Sequence, residues 1–138
     1  IYNYLEFANQ FDFRVAQELT AEYQSAFDDT FFYLFNQKSP NELLGSCHAI
    51  DLPFVFNNPS EGIETKPSAK LVKQVQTTWT TFAATGNPSN ALVPTWKKYT
   101  ADDRQTMEMN SEAWTCKKDL NTDNLRELRG VYEDNLLD

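Results

Sequence analysis

Apolar and polar positions along the chain alternate in ways that predict a mixed α/β domain. Between Phe13 and Phe27, the residues Val15, Ala16, Leu19, Tyr23 and Phe27 recur at helical spacing, with Arg14, Glu18 and Glu22 on other faces, so this stretch predicts an amphipathic helix. Asp28 and Asp29 break the pattern. Thr30 to Phe35 then reads as a short, continuous apolar run rich in aromatics, as expected of a parallel-sheet strand buried on both faces. Polar turn material from Asn36 to Gly45, including Lys38-Ser39-Pro40-Asn41, predicts a loop. From Ser68, a candidate N-cap, the residues Leu71, Val72, Val75, Trp79, Phe82 and Ala83 form one helical stripe that Gly86-Asn87-Pro88 should stop. Trp96 and Tyr99 fall in a loop leading to a short alternating strand at Thr106 to Met109, expected at a sheet edge. A last helix from Leu125 to Leu137 would bury Leu125, Leu128, Tyr132 and Leu136. No repeat, low-complexity run or linker divides the chain, so residues 1–138 are expected to form one unit.

Composition narrows the function classes. The 138 residues are 41% hydrophobic and 14% aromatic, enough for one modest core. A net charge of −8 repels phosphate backbones and anionic headgroups, which argues against nucleic acid and lipid surfaces as partners. No run approaches the roughly 20 apolar residues that a membrane span needs. The chain opens at Ile1 rather than methionine, so it is expected to lack the first residues of its gene product, and the missing signal peptide carries no weight. Cys47 and Cys116 are too few for a disulfide framework and lack metal-ligand spacing, so two free thiols are the expectation. Cys47 beside His48 does not suggest a Cys–His nucleophile pair, because adjacent side chains in an extended segment point apart.

His48 is the one histidine, and no other side chain here has an ordinary pKa suited to passing protons in both directions near neutrality. It follows a predicted strand on a loop opened by a glycine, and in open parallel sheets function collects at the strands' carboxyl ends. Position and chemistry alone favour a plainer reading, a half-buried histidine held by hydrogen bonds.

Four motifs shift that balance. Gly45-x-x-His48-x-x-Asp51-Leu52-Pro53-Phe54-Val55-Phe56 resembles the histidine motif of type-B carboxylesterases and cholinesterases. Trp79-Thr80-Thr81-Phe82-Ala83-Ala84-Thr85-Gly86-Asn87-Pro88 is similar to that family's helix ending in Phe-Ala-x-Thr-Gly-Asn/Asp-Pro. Trp96 and Tyr99 match a Trp-Pro-x-Tyr region, with Lys97 in place of the proline, and the aromatic run at 30–35 is similar to the strand before the histidine loop. The four stand in the family's order and cover most of the chain.

The resemblance implies the C-terminal part of an α/β-hydrolase fold, a mostly parallel sheet with flanking helices, incomplete in this chain. It implies ester hydrolysis by a Ser-Glu/Asp-His triad with His48 as general base. It also makes Gly45 and Asp51 structural, Asp51 fixing the turn or capping a short helix after the histidine, and Phe54 a candidate wall of the acyl pocket. Neither Gly45-Ser46-Cys47 nor Gly86-Asn87-Pro88-Ser89 fits Gly-x-Ser-x-Gly, so nucleophile and acid are expected upstream, and the isolated chain should be inactive. Triad chemistry implies no metal or organic cofactor. The implied partners are the N-terminal remainder and a small ester, or further copies of the chain through swapped elements. Free thiols lean towards the cytoplasm. Two alternatives remain: a non-catalytic, adhesion-type relative acting through protein partners, and an independent acidic interaction module with an ordinary histidine.

Overall fold

The computed structural model describes residues 2–63, 66–120 and 122–136. The chain opens with helix α1 (Tyr2–Asn9), which continues through a π-helical turn at Gln10–Arg14 into α2 (Val15–Ser25). Strand β1 (Phe32–Phe35) follows, then the four-residue helix α3 (Leu52–Val55) and the long helix α4 (Ala69–Thr85). Strands β2 (Gln105–Met109) and β3 (Trp114–Lys118) precede the last helix, α5 (Thr122–Leu136).

The three strands form one sheet in the order β1-β2-β3, with β1 parallel to β2 and β2 antiparallel to β3. Parallel pairing requires a crossover, and the segment carrying α3 and α4 supplies it. Leu71, Val72 and Val75 on α4 pack with Met107 and Met109 of β2, Phe35 of β1 and the buried Trp96 and Trp114. Gly86 ends α4 in the left-handed conformation (φ 73°), its amide donating to the Phe82 carbonyl, as the Gly-Asn-Pro stop signal requires. Ser68 stands at the N-cap but makes no capping hydrogen bond through its side chain. No described helix is long and apolar enough to cross a membrane.

Several elements differ from the sequence expectations, each for a physical reason. β2 is the central strand, not an edge, because β3 pairs along its other side. The two are joined at Asn110, whose side-chain oxygen accepts from the amides of Glu112 and Ala113 and closes a tight turn. The first helix starts before Phe13 and stops at Ser25, so Tyr23 and Phe27 are exposed instead of buried. Its inward contact is narrow: Leu128 and Tyr132 of α5 cover only Val15 and Leu19. On α4, Phe82 and Ala83 are exposed rather than part of the buried stripe. The side chains of Leu125 and Leu136, and residue 137, lie outside the described residues.

β1 is not buried on both faces in this chain. Phe35 is enclosed, but Tyr33 is exposed, Phe32 and Leu34 are half-buried, and among the described residues nothing pairs with the edge of β1 opposite β2. Large apolar side chains elsewhere are also uncovered: Phe27 is 86% exposed, Leu43 84% and Phe56 70%. Exposed apolar surface on this scale marks contact sites. The isolated chain is therefore expected to bind a hydrophobic dye strongly and to elute larger than a 138-residue monomer in size-exclusion chromatography with light scattering. A compact monomer that leaves the dye dark would count against this.

Candidate active site

His48 sits at a corner of the chain that local geometry defines tightly. The Ile50 amide donates to the Cys47 carbonyl (3.2 Å) and the Leu52 amide to the Ala49 carbonyl (3.2 Å), so two successive turns carry residues 47–52 into α3. Ala49 has φ 65°, the left-handed value that a type II turn demands at its third position and that costs a non-glycine residue about 1 kcal/mol. Ile50 is buried and Cys47 packs half-buried against the main core, so both point inward while His48 between them is exposed. The neighbouring Cys47 and His48 thus face apart, and both thiols, Cys47 and Cys116, are free.

His48 borders a hollow of about 490 Å³. Gln17 of α2, the whole run 31–35 along β1 and residues 47–52 line it. No residue of β2 contributes, which puts the hollow beside the unpaired edge of β1. Phe13 stacks on the imidazole with ring centroids 5.6 Å apart and planes inclined by 24°. Among the described residues neither ring nitrogen of His48 has a hydrogen-bond partner, so the plainer reading of a half-buried, hydrogen-bonded histidine does not describe it.

The other residues singled out in the sequence take clear places. Gly45 adopts φ 56° and its carbonyl accepts from the Ser39 amide (2.8 Å), which folds the loop back on itself before the histidine. Asp51 occupies the N-cap position of α3 without a capping hydrogen bond; its carboxylate instead accepts a long hydrogen bond from the Tyr33 hydroxyl (3.4 Å). Burial, and then the Asp51 carboxylate, push the Tyr33 phenol up to about 12, so at neutral pH it stays a donor. Trp79 and Trp96 hold the Tyr33 ring edge-on, at 5.2 and 6.2 Å. Phe54 does not line the hollow: it is 1% exposed and packs on Phe35 at 5.4 Å. It is a core side chain here, not the pocket wall the resemblance suggested, because the one-turn helix α3 rotates it inward.

Sequence reasoning missed Phe13 and Tyr33 as neighbours of the site, since it assigned the aromatics of 31–35 to core and began a helix at Phe13. It also missed an ion-pair cluster beside the second core. Glu22 accepts from Arg129 (2.7 and 3.1 Å) and Arg104 (3.2 Å), tying α2 to α5 and to the start of β2. The Arg129 guanidinium, ahead of the opposing effect of burial, holds the Glu22 carboxyl below its ordinary 4.5. A carboxylate depressed in the folded state adds stability above its unfolded pKa, and that share is lost as pH falls through the folded value. Glu18 acts in the opposite sense, because burial raises it above 4.5 despite Arg14. Glu22→Gln is thus expected to lose about 1–2 kcal/mol at pH 7 and to lose less additional stability than the parent below pH about 4.5. Denaturant melts of both proteins between roughly pH 3 and 7 check this; parallel curves would remove the ion pair as the cause.

Residues 2–127 match the model of the carboxylesterase family. The para-nitrobenzyl esterase of Bacillus subtilis (strain 168) is 43% identical over 72 residues, covering 47% of this chain and 14% of that enzyme. The acetylcholinesterase of Danio rerio is 29% identical over 104 residues, 67% of this chain and 16% of the other. Among solved structures, a thermophilic PNB esterase superposes with a TM-score of 0.68 at 27% identity, covering 78% of this chain and 23% of that one. The Geobacillus stearothermophilus carboxylesterase EST55 at pH 6.8 gives a TM-score of 0.64 at 27% identity, covering 79% and 24%. The chain spans less than a quarter of the length of these relatives. Its small mixed sheet and flanking helices are part of an α/β-hydrolase fold.

Proposed function

Because the chain belongs to the carboxylesterase family, we propose that it is the C-terminal segment, residues 1–138, of a serine esterase and supplies the histidine general base of its triad. The nucleophilic serine and the acid come from an N-terminal remainder. The observation that carries this reading is the setting of His48: at the rim of a hollow along the open edge of β1, exposed, with both ring nitrogens unpartnered among the described residues. In the reaction, one nitrogen of His48 takes the proton of the serine hydroxyl as its oxygen attacks the ester carbonyl. The same nitrogen returns that proton to the departing alcohol, leaving an acyl-serine. Water then repeats the cycle, its proton passing to His48 and back to the serine oxygen as the carboxylic acid leaves. The second nitrogen donates to the upstream acid, which fixes the tautomer. Gly45 and Asp51 shape the turn, and Phe54 anchors it.

The substrate class is a small carboxylic ester, and the isolated chain is inactive. The test is hydrolysis of a short-chain p-nitrophenyl ester by the full-length protein, its His48→Ala variant and this chain alone. Turnover by the first only is the result expected. An inert full-length protein would instead favour a non-catalytic, partner-binding relative.

A further inference from the structure

We propose that Phe13 is a positioning residue that sets the orientation of the His48 imidazole; this rests on the reading of His48 as the triad base. The argument turns on which freedoms of His48 the rest of the chain already removes. Its backbone is fixed. Cys47 and Ile50 point into the core on either side, the turn hydrogen bonds close over it, and Ala49 is held in the left-handed conformation. Three residues on, the Tyr33 hydroxyl reaches Asp51 from a ring clamped by two tryptophans, which ties the turn to β1.

The side-chain torsions of His48 are not fixed by any of this. Among the described residues no hydrogen bond reaches the imidazole, and its ring contact is with Phe13, 5.6 Å away and close to parallel. The chemistry favours such a restraint. A ring stacked on one face of the imidazole limits its rotation yet leaves both nitrogens, which lie in the ring plane, open to the serine on one side and the acid on the other. A hydrogen bond from this chain would occupy one of the two.

Phe13 is delivered by an unusual piece of helix. It lies in the π turn Gln10–Arg14, where the Val15 amide donates to the Gln10 carbonyl five residues back. Such turns are rare and are frequent at functional sites. On the same helix Phe11 packs edge-on against Tyr132 of α5 (5.7 Å) and Val15 is buried in the second core. Those neighbours anchor the segment. Phe13, 48% exposed, adds little to that packing and reaches the His48 turn instead.

In the full-length protein, Phe13→Leu is expected to lower kcat roughly 5- to 10-fold, with KM within about twofold and an unchanged melting temperature, because the base spends less time correctly aligned. Phe13→Tyr keeps the ring and should keep the rate. A parent-like kcat for Phe13→Leu, beside an inactive His48→Ala, overturns the role of Phe13 and leaves the triad reading standing. Equal losses in the Leu and Tyr variants, together with lower melting temperatures, also overturn it, since Phe13 would then be ordinary packing. Full activity in His48→Ala overturns both ideas.

Discussion

Replacing His48 with alanine in the full-length protein is expected to lower kcat for a p-nitrophenyl ester by about 10⁴-fold while moving KM little. Without the imidazole, the serine proton has no acceptor at attack and the departing alcohol no donor. Binding of the ground-state ester, which uses neither nitrogen, continues. Some acceleration over water persists, because an oxyanion hole and substrate positioning survive loss of one triad member. The folded state should hardly notice the change. His48 is exposed, carries no hydrogen bond among the described residues, and touches Phe13 at a half-exposed contact, so the expected loss of stability is within about 0.5 kcal/mol. Steady-state kinetics and a thermal melt on the same preparations test both halves. A rate loss smaller than tenfold would remove His48 from the reaction, and a large fall in melting temperature would make the rate uninterpretable as chemistry.

Parts of the architecture could be read directly from the residues. The α4 stripe Leu71, Val72 and Val75 was legible because a 17-residue helix repeats its period often enough to stand out, and Gly86 ends it where backbone sterics require. Thr30 to Phe35 was legible as a strand from its aromatic density. Its real exposure was not, because burial belongs to the neighbours of a strand, and those on the open edge of β1 are not encoded in these residues. β3 went unseen since Trp114-Thr115-Cys116-Lys117-Lys118 offers only two inward-facing positions and ends in lysines. That miss placed β2 at an edge. At the site, the motif around His48 marked the residue but not its surroundings. Phe13 lies 35 positions earlier, and the Tyr33–Asp51 contact spans 18 residues, so neither pairing leaves a local pattern.

Phe54→Ala separates two roles that the sequence motif alone cannot. As a pocket wall, Phe54 would tune which acyl groups fit, and its truncation would alter KM for bulky esters without altering stability. Its placement argues for the other outcome. The side chain is 1% exposed, packs on Phe35, and belongs to the main core with Ile50, Leu71 and Val72. Truncation removes a buried ring and leaves a void that close-packed neighbours fill only in part, at a cost of about 3–5 kcal/mol. Against a typical domain stability of about 5–15 kcal/mol, that is a third or more of the total. The damage should also be directional. α3 is a single turn without a capping hydrogen bond, so Phe54 is a chief reason that Leu52–Val55 holds its place, and residues 47–52 hang from it. Partial unfolding should therefore begin at the His48 turn. The full-length Phe54→Ala protein is expected to melt well below its parent, to lose activity on warming before global unfolding, and at low temperature to keep the parent's ranking of esters by acyl size. A variant with an unchanged melting temperature and a shifted acyl preference would return Phe54 to the pocket and would mean that the core beneath α3 is held chiefly by Ile50.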